Sequence, residues 1–71
     1  MKRTANMQKK TTVQIVFGSR IWWIFEAGET TPVASANSGV ELVRLCNQNS
    51  YIVDNATSLV PELREQLNDY N

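Results

Sequence analysis

The chain has 71 residues, with seven Lys or Arg against seven Asp or Glu, no histidine and a single cysteine. That length holds one domain with a modest core. Cys46 has no partner for an internal disulfide, and without histidine it makes no ordinary zinc site. The reinforcement left to so small a chain is association with a copy or a partner, and the alternative is a small, marginal monomer.

No apolar run approaches the roughly 20 residues that span a bilayer, and no charged segment followed by a long apolar run marks a signal peptide. A lone thiol then fits a reducing cytoplasm, so a cytoplasmic protein with no membrane partner is expected. Asn55-Ala56-Thr57 matches the glycosylation pattern, a coincidence in that compartment. The zero net charge hides an asymmetry. Lys2, Arg3, Lys9 and Lys10 crowd the first ten residues, while the rest carries Arg20, Arg44 and Arg64 against Glu26, Glu29, Glu41, Asp54, Glu62, Glu65 and Asp69. Residues 1–10 show no apolar period and read as a flexible basic tail. Residues 11–71 read as one small domain with an acidic surface. The tail is either a solubilising leader or a contact for nucleic-acid phosphates or an acidic protein.

Residues 11–17, TTVQIVF, are β-branched and partly alternating, which predicts a strand; residues 20–27, RIWWIFEA, predict a second. Gly18-Ser19 between them fits a type II′ hairpin turn, since glycine accepts positive φ at the first turn position. Gly28 breaks the second strand. Thr30 to Ser35 can form a short third strand, confined to an edge by Pro32. In residues 37–48, Ser38 followed three positions later by Glu41 is a capping box. Leu42, Val43, Leu45 and Cys46 then lie on one helical face, with Glu41 and Arg44 spaced for a weak ion pair on the other. A helix is expected, with a strand as its rival because Val40, Leu42, Val43 and Leu45 tolerate both states. Residues 50–54, SYIVD, predict a strand. Residues 55–71 predict a last helix, capped by Thr57 or Ser58, with Pro61 in its first turn, Glu62 near its start, and a stripe of Leu59, Val60, Leu63, Leu67 and Tyr70. The order ββ(β)αβα describes a small α+β domain with a mostly antiparallel sheet and both helices packed on one face.

Trp22 and Trp23 are neighbours on a strand, so they point to opposite faces. A two-residue turn at 18–19 pairs Ile15 with Trp22 and Val13 with Ile24, and places Val16, Ile21, Gln14 and Trp23 on the other side. A three-residue loop at 18–20 instead gathers Val13, Ile15, Phe17, Ile21, Trp23 and Phe25 on one apolar side. Burying a large side chain contributes about 2 kcal/mol, more than a turn preference, so the second register is expected. Either register leaves one tryptophan and at least two aliphatic groups on a second face. That face can be covered by the chain's own helices, by a copy of itself, or by another molecule. Large exposed apolar patches mark interfaces, and tryptophan is enriched at binding hot spots.

The sequence shows no catalytic constellation, no metal site, no cofactor motif and no phosphate loop. Cys46 falls within an apolar helix face, as a buried inert thiol would, and Gly18-Ser19-Arg20 is accounted for by a hairpin turn. A non-catalytic protein-binding module (adaptor, inhibitor or accessory subunit) is therefore expected, with no small-molecule substrate. Its contacts would come from Trp22, Trp23, Ile24, Val16, Gln14 and Arg20. A single-stranded nucleic-acid binder is the alternative, with sheet aromatics stacking bases and Lys2, Arg3, Lys9 and Lys10 holding phosphates. A structural homo-oligomer is the third reading.

Overall fold

A computed structural model describes residues 10–71. The four strands β1 (Thr11–Gly18), β2 (Ile21–Glu26), β3 (Ala34–Ala36) and β4 (Tyr51–Val53) form one sheet in the order β3-β2-β1-β4. β2 is antiparallel to both of its neighbours, and β4 runs parallel to β1. Helix α1 (Gly39–Gln48) connects β3 to β4, and a single turn, α2 (Pro61–Arg64), follows a 3-10 turn at Ala56–Ser58. This is the expected small α+β domain. Residues 1–9, which include Lys2, Arg3 and Lys9, lie outside the described residues.

The core fills one face of the sheet. Val13, Ile15, Ile24, Ala36 and Val53 point from the strands onto Leu42, Val43 and Cys46 of α1, with Ala56, Leu59 and Leu67 closing the side. These are the positions that alternate along each strand and recur at helical spacing along α1, so each element buries the one face its pattern makes apolar. Ser38 caps α1 as expected: its hydroxyl accepts the Glu41 N–H at 3.1 Å. The Glu41 carboxylate reaches back to the Asn37 N–H at 3.4 Å and pairs with Arg44 at 3.9 Å. The strand rival for this segment falls away. Gly39 serves close packing, because a Cβ there would stand 2.8 Å from the methyl carbons of Leu63.

The hairpin differs from both registers read from the sequence. Its turn is Ser19-Arg20, with φ of 55° and 64°, and Phe17 pairs with Trp22, Ile15 with Ile24 and Val13 with Glu26. The pairing is one residue away from the expected three-residue loop, and a one-residue slip exchanges the faces of a strand. Ile21, Trp23 and Phe25 therefore leave the core side, and Trp22 and Ile24 take their place. Positive φ at two residues with a Cβ costs on the order of 1 kcal/mol each. The ladder offsets that cost by setting Ile24 opposite Ile15 in the core and the Phe17 ring 4.6 Å from the Trp22 ring. Gly18, the residue that suggested the turn, instead ends β1 and accepts the Trp23 indole N–H through its carbonyl at 3.0 Å.

Two further expectations are corrected. The third strand begins at Ala34, beyond Pro32 and Val33, rather than at Thr30. The last helix does not run through residues 55–71. Its one α turn has Pro61 in first position and Val60, without a side-chain cap, before it. Tertiary bonds pull the chain out of the helix. Asn47 accepts the Asn68 N–H at 2.9 Å and donates to the Gln66 carbonyl at 3.0 Å, and Tyr70 forms a parallel bridge with Val53. Leu59 and Leu67 still reach the core, whereas Val60 and Tyr70 are exposed.

Candidate functional site

The sheet has a second face, and its composition follows from the register. β1 contributes Thr12, Gln14 and Val16, β2 contributes Ile21, Trp23 and Phe25, β3 contributes Ser35 and β4 contributes Ile52. Both helices and the 3-10 turn pack on the opposite side, and none of these eight side chains belongs to the core or packs against it. Val16 is 50% exposed on β1, past the Thr11–Val13 stretch that β4 pairs with, and has Trp23 of β2 as its cross-strand neighbour. Trp23, Phe25 and Ile21 are partly exposed beside it on β2, and Ile52 is partly exposed on β4 opposite Thr12. The Trp23 indole lies back toward the turn, held by its bond to Gly18, so its ring has a fixed place on this face. All eight strand positions are uncharged. Charge stands at the rim: Arg20 at the hairpin tip, Glu29 in the turn at the hairpin base, and Asp54 just past β4, each exposed.

The edges of this platform are closed on the β4 side. Residues 69–71 run beside β4, with the Val53 N–H donating to Asp69 at 3.2 Å and the Asn71 N–H donating to Val53 at 3.0 Å. Beyond the end of β4 the side chain of Asn55 takes over as a one-residue strand. Its carbonyl oxygen accepts the Ile15 N–H at 2.9 Å and its amide donates to the Ile15 carbonyl at 2.8 Å. Both polar atoms of Asn55 are thus engaged, which leaves none free to carry a glycan. A neighbouring chain cannot add a strand along this side without displacing Asn55 or the C-terminal residues.

The residues read from the sequence as partner contacts separate into three groups. Trp23, Val16 and Gln14 share the open face. Ile24 is 0% exposed in the core and is withdrawn as a contact, because the register sets it opposite Ile15 on the helix side of the sheet. Trp22 packs against the core from the helix side of the sheet, with Phe17, 58% exposed, leaning on it. Arg20 stands at the turn. Lys10 is exposed and paired with Asp69 across the first and last described segments. Sequence reading names none of Ile21, Phe25 and Ile52 as a contact, although the two-residue turn already sets Ile21 on one side with Val16, Gln14 and Trp23. The parity of Trp23 would have found the first two, once the turn was placed at 19–20.

Cys46 is 0% exposed, and burial pushes its thiol up to about 11, so it stays protonated and inert at neutral pH. It lies beneath a shallow polar cleft of about 620 Å³ bordered by Lys10, Asn47, Ser50, Tyr51 and Asp69. Burial, then Glu26, then Cys46 raise the Tyr51 hydroxyl above its ordinary value. Among the described residues no three His, Cys, Asp or Glu side chains gather as metal ligands, and no helix is long and apolar enough to cross a membrane. No protein-family model, curated protein or solved structure matches the chain.

Proposed function

We propose that this protein is a non-catalytic binding module that docks another protein surface through the open face of its sheet. The observation that supports this reading most is the open face itself, with Val16 half exposed beside Trp23, and Phe25, Ile21 and Ile52 partly exposed on the same face, while every helix of the described residues lies on the other side. A small domain that leaves its central strands apolar on two faces gains from a partner that removes the second face from water. The face also has the features of an interface core: an aromatic anchor fixed by its own hydrogen bond, aliphatic neighbours, and charge only at the rim.

The experiment places a photoactivatable benzoylphenylalanine at position 16 of the full chain in the cells that express it, with the same residue at exposed Thr57 as control. A discrete protein adduct from position 16 and none from position 57 is the expected result. Equal, diffuse labelling from both positions would refute the docking face.

A nucleic-acid reading draws on Trp23 and Phe25, neighbours on one face of a central strand where bases could stack. The uncharged strand positions and the pairing of Lys10 with Asp69 weigh toward protein, since strand-nonspecific nucleic-acid binding relies on cations along the binding face. An adduct from position 16 that nuclease removes would favour nucleic acid.

A further inference from the structure

If the open face docks a protein, the charges at its rim select one kind of partner. We propose that the partner is a second copy of this chain, with the two sheets stacked face to face and their strands antiparallel about a two-fold axis lying across the strands. The proposal rests on the docking reading above and adds the identity and orientation of the occupant.

The argument begins with the lengthwise polarity of the β1-β2 hairpin. Its tip carries Arg20 and its base carries Glu29, whose N–H closes the turn onto the Glu26 carbonyl at 3.0 Å. The stretch between them is uncharged on the open side. Two stacked sheets of the same chain admit two simple two-fold axes. An axis along the strands sets tip on tip, so Arg20 faces Arg20 and Glu29 faces Glu29, which is repulsive at both ends. An axis across the strands sets tip on base, so Arg20 of each copy meets Glu29 of the other. Both rim contacts then become attractive by symmetry alone.

The apolar centre agrees with the same axis. The cross-strand pairs Val16–Trp23 and Gln14–Phe25 occupy the middle of the hairpin. Reversing one copy about that middle sets Trp23 of one against Phe25 of the other, on both sides of the axis. Aromatic pairs of this kind contribute beyond their buried area. Stacked sheets pack about 10 Å apart with their strands roughly aligned, a spacing that long rim side chains such as Arg and Glu can bridge. An unrelated partner would have to supply this reversed charge pattern; a second copy supplies it automatically.

The test is sedimentation equilibrium of the full chain over a wide range of concentration and salt, with four variants checked for folding by circular dichroism. The parent chain is expected to dimerise. Arg20→Glu and Glu29→Arg should each weaken the dimer about tenfold. The double variant should return it to near the parent value, and the single effects should shrink at high salt. Val16→Glu, which puts a charge into the uncharged centre without touching the core, should leave a monomer; Gln14→Glu takes its place if that variant does not fold. A parent that stays monomeric at every concentration overturns the second copy as occupant. Photo-crosslinking at position 16 then judges the docking face separately, since adducts with another protein keep it and their absence removes it. A dimer that persists in Val16→Glu likewise overturns the second copy as occupant, because it is held by some other surface, and crosslinking at position 16 again judges the docking face. Single charge reversals without effect, in a dimer that Val16→Glu abolishes, overturn the antiparallel orientation.

Discussion

Asn55 offers the most sensitive test of how the sheet is held together. Its side chain replaces a strand for one residue, accepting from the Ile15 N–H at 2.9 Å and donating to the Ile15 carbonyl at 2.8 Å. Ile15 itself is only 4% exposed, and both bonds are part-buried. Asn55→Ala removes two hydrogen bonds and leaves two backbone groups without partners. Each bond contributes about 1 kcal/mol net, and each stranded polar group costs about 1–3 kcal/mol. Because those figures overlap, a loss of about 2–4 kcal/mol is expected. A domain of this length has a total stability of about 3–10 kcal/mol, so the melting temperature should fall by roughly 10 °C or more. Asn55→Asp refines the test. A carboxylate still accepts from Ile15 N–H but turns a lone pair toward the Ile15 carbonyl where a donor stood. Protonation supplies an O–H donor, so the destabilisation relative to the parent should be largest at neutral pH and shrink as the solution is acidified through the carboxyl range. Urea unfolding of the three proteins at two pH values gives the result. A change below about 0.5 kcal/mol in Asn55→Ala would refute the claim that this amide completes the ladder of β1.

Other outcomes follow from single contacts. Replacing Ser19-Arg20 by Asn-Gly, the pair that type I′ turns prefer, should raise stability by about 1 kcal/mol in unfolding measured at high dilution; a loss would contradict the positive φ at both residues. Ser38→Ala removes the cap of α1 and should cost about 1 kcal/mol, read from the urea midpoint. Cys46 should react with an alkylating reagent only as fast as the chain unfolds. Its pKa is raised from 9.0 to about 11 by folding, so below pH 9 the thiol is neutral in both states and its contribution is complete. As pH rises from 9 toward 11 the unfolded chain ionises first and stability declines, by up to about 2–3 kcal/mol. Cys46→Ala should abolish that part of the alkaline decline, and the difference between the two proteins isolates the thiol from the nearby Tyr51.

Where the sequence carried strong local chemistry, it specified the structure. The Ser38–Glu41 cap, the Leu42-Val43-Cys46 face and the β-branched runs of β1 and β2 each act within a few residues, and each appears where expected. The turn at Ser19-Arg20 was not legible, because neither residue is one that readily accepts positive φ, while Gly18 beside them is. What decides the turn lies beyond it: the pairing of Ile24 with Ile15 in the core, and of Phe17 with Trp22. The last helix failed for the same kind of reason. Leu59, Leu63 and Leu67 keep a helical spacing, but Asn47 binds Gln66 and Asn68, and Val53 pairs with Tyr70; the chain turns through Leu67 by shorter i to i+3 bonds and then straightens to lie beside β4. The second apolar face was legible from the adjacent tryptophans alone. Which tryptophan lies on it was not, since that depends on the register.

The central claim is that the face of the sheet bearing Val16 and Trp23 lies open on the isolated chain. A soluble paramagnetic agent added to a dilute, methyl-labelled sample measures this directly, because Val13 and Val16 sit on the same strand and point to opposite faces. The Val16 methyl signals should be strongly broadened and those of Val13 untouched, with Val16 becoming protected as the concentration is raised. Protection of the Val16 methyls already in the dilute monomer would mean that the chain covers this face itself, and the docking account would be wrong.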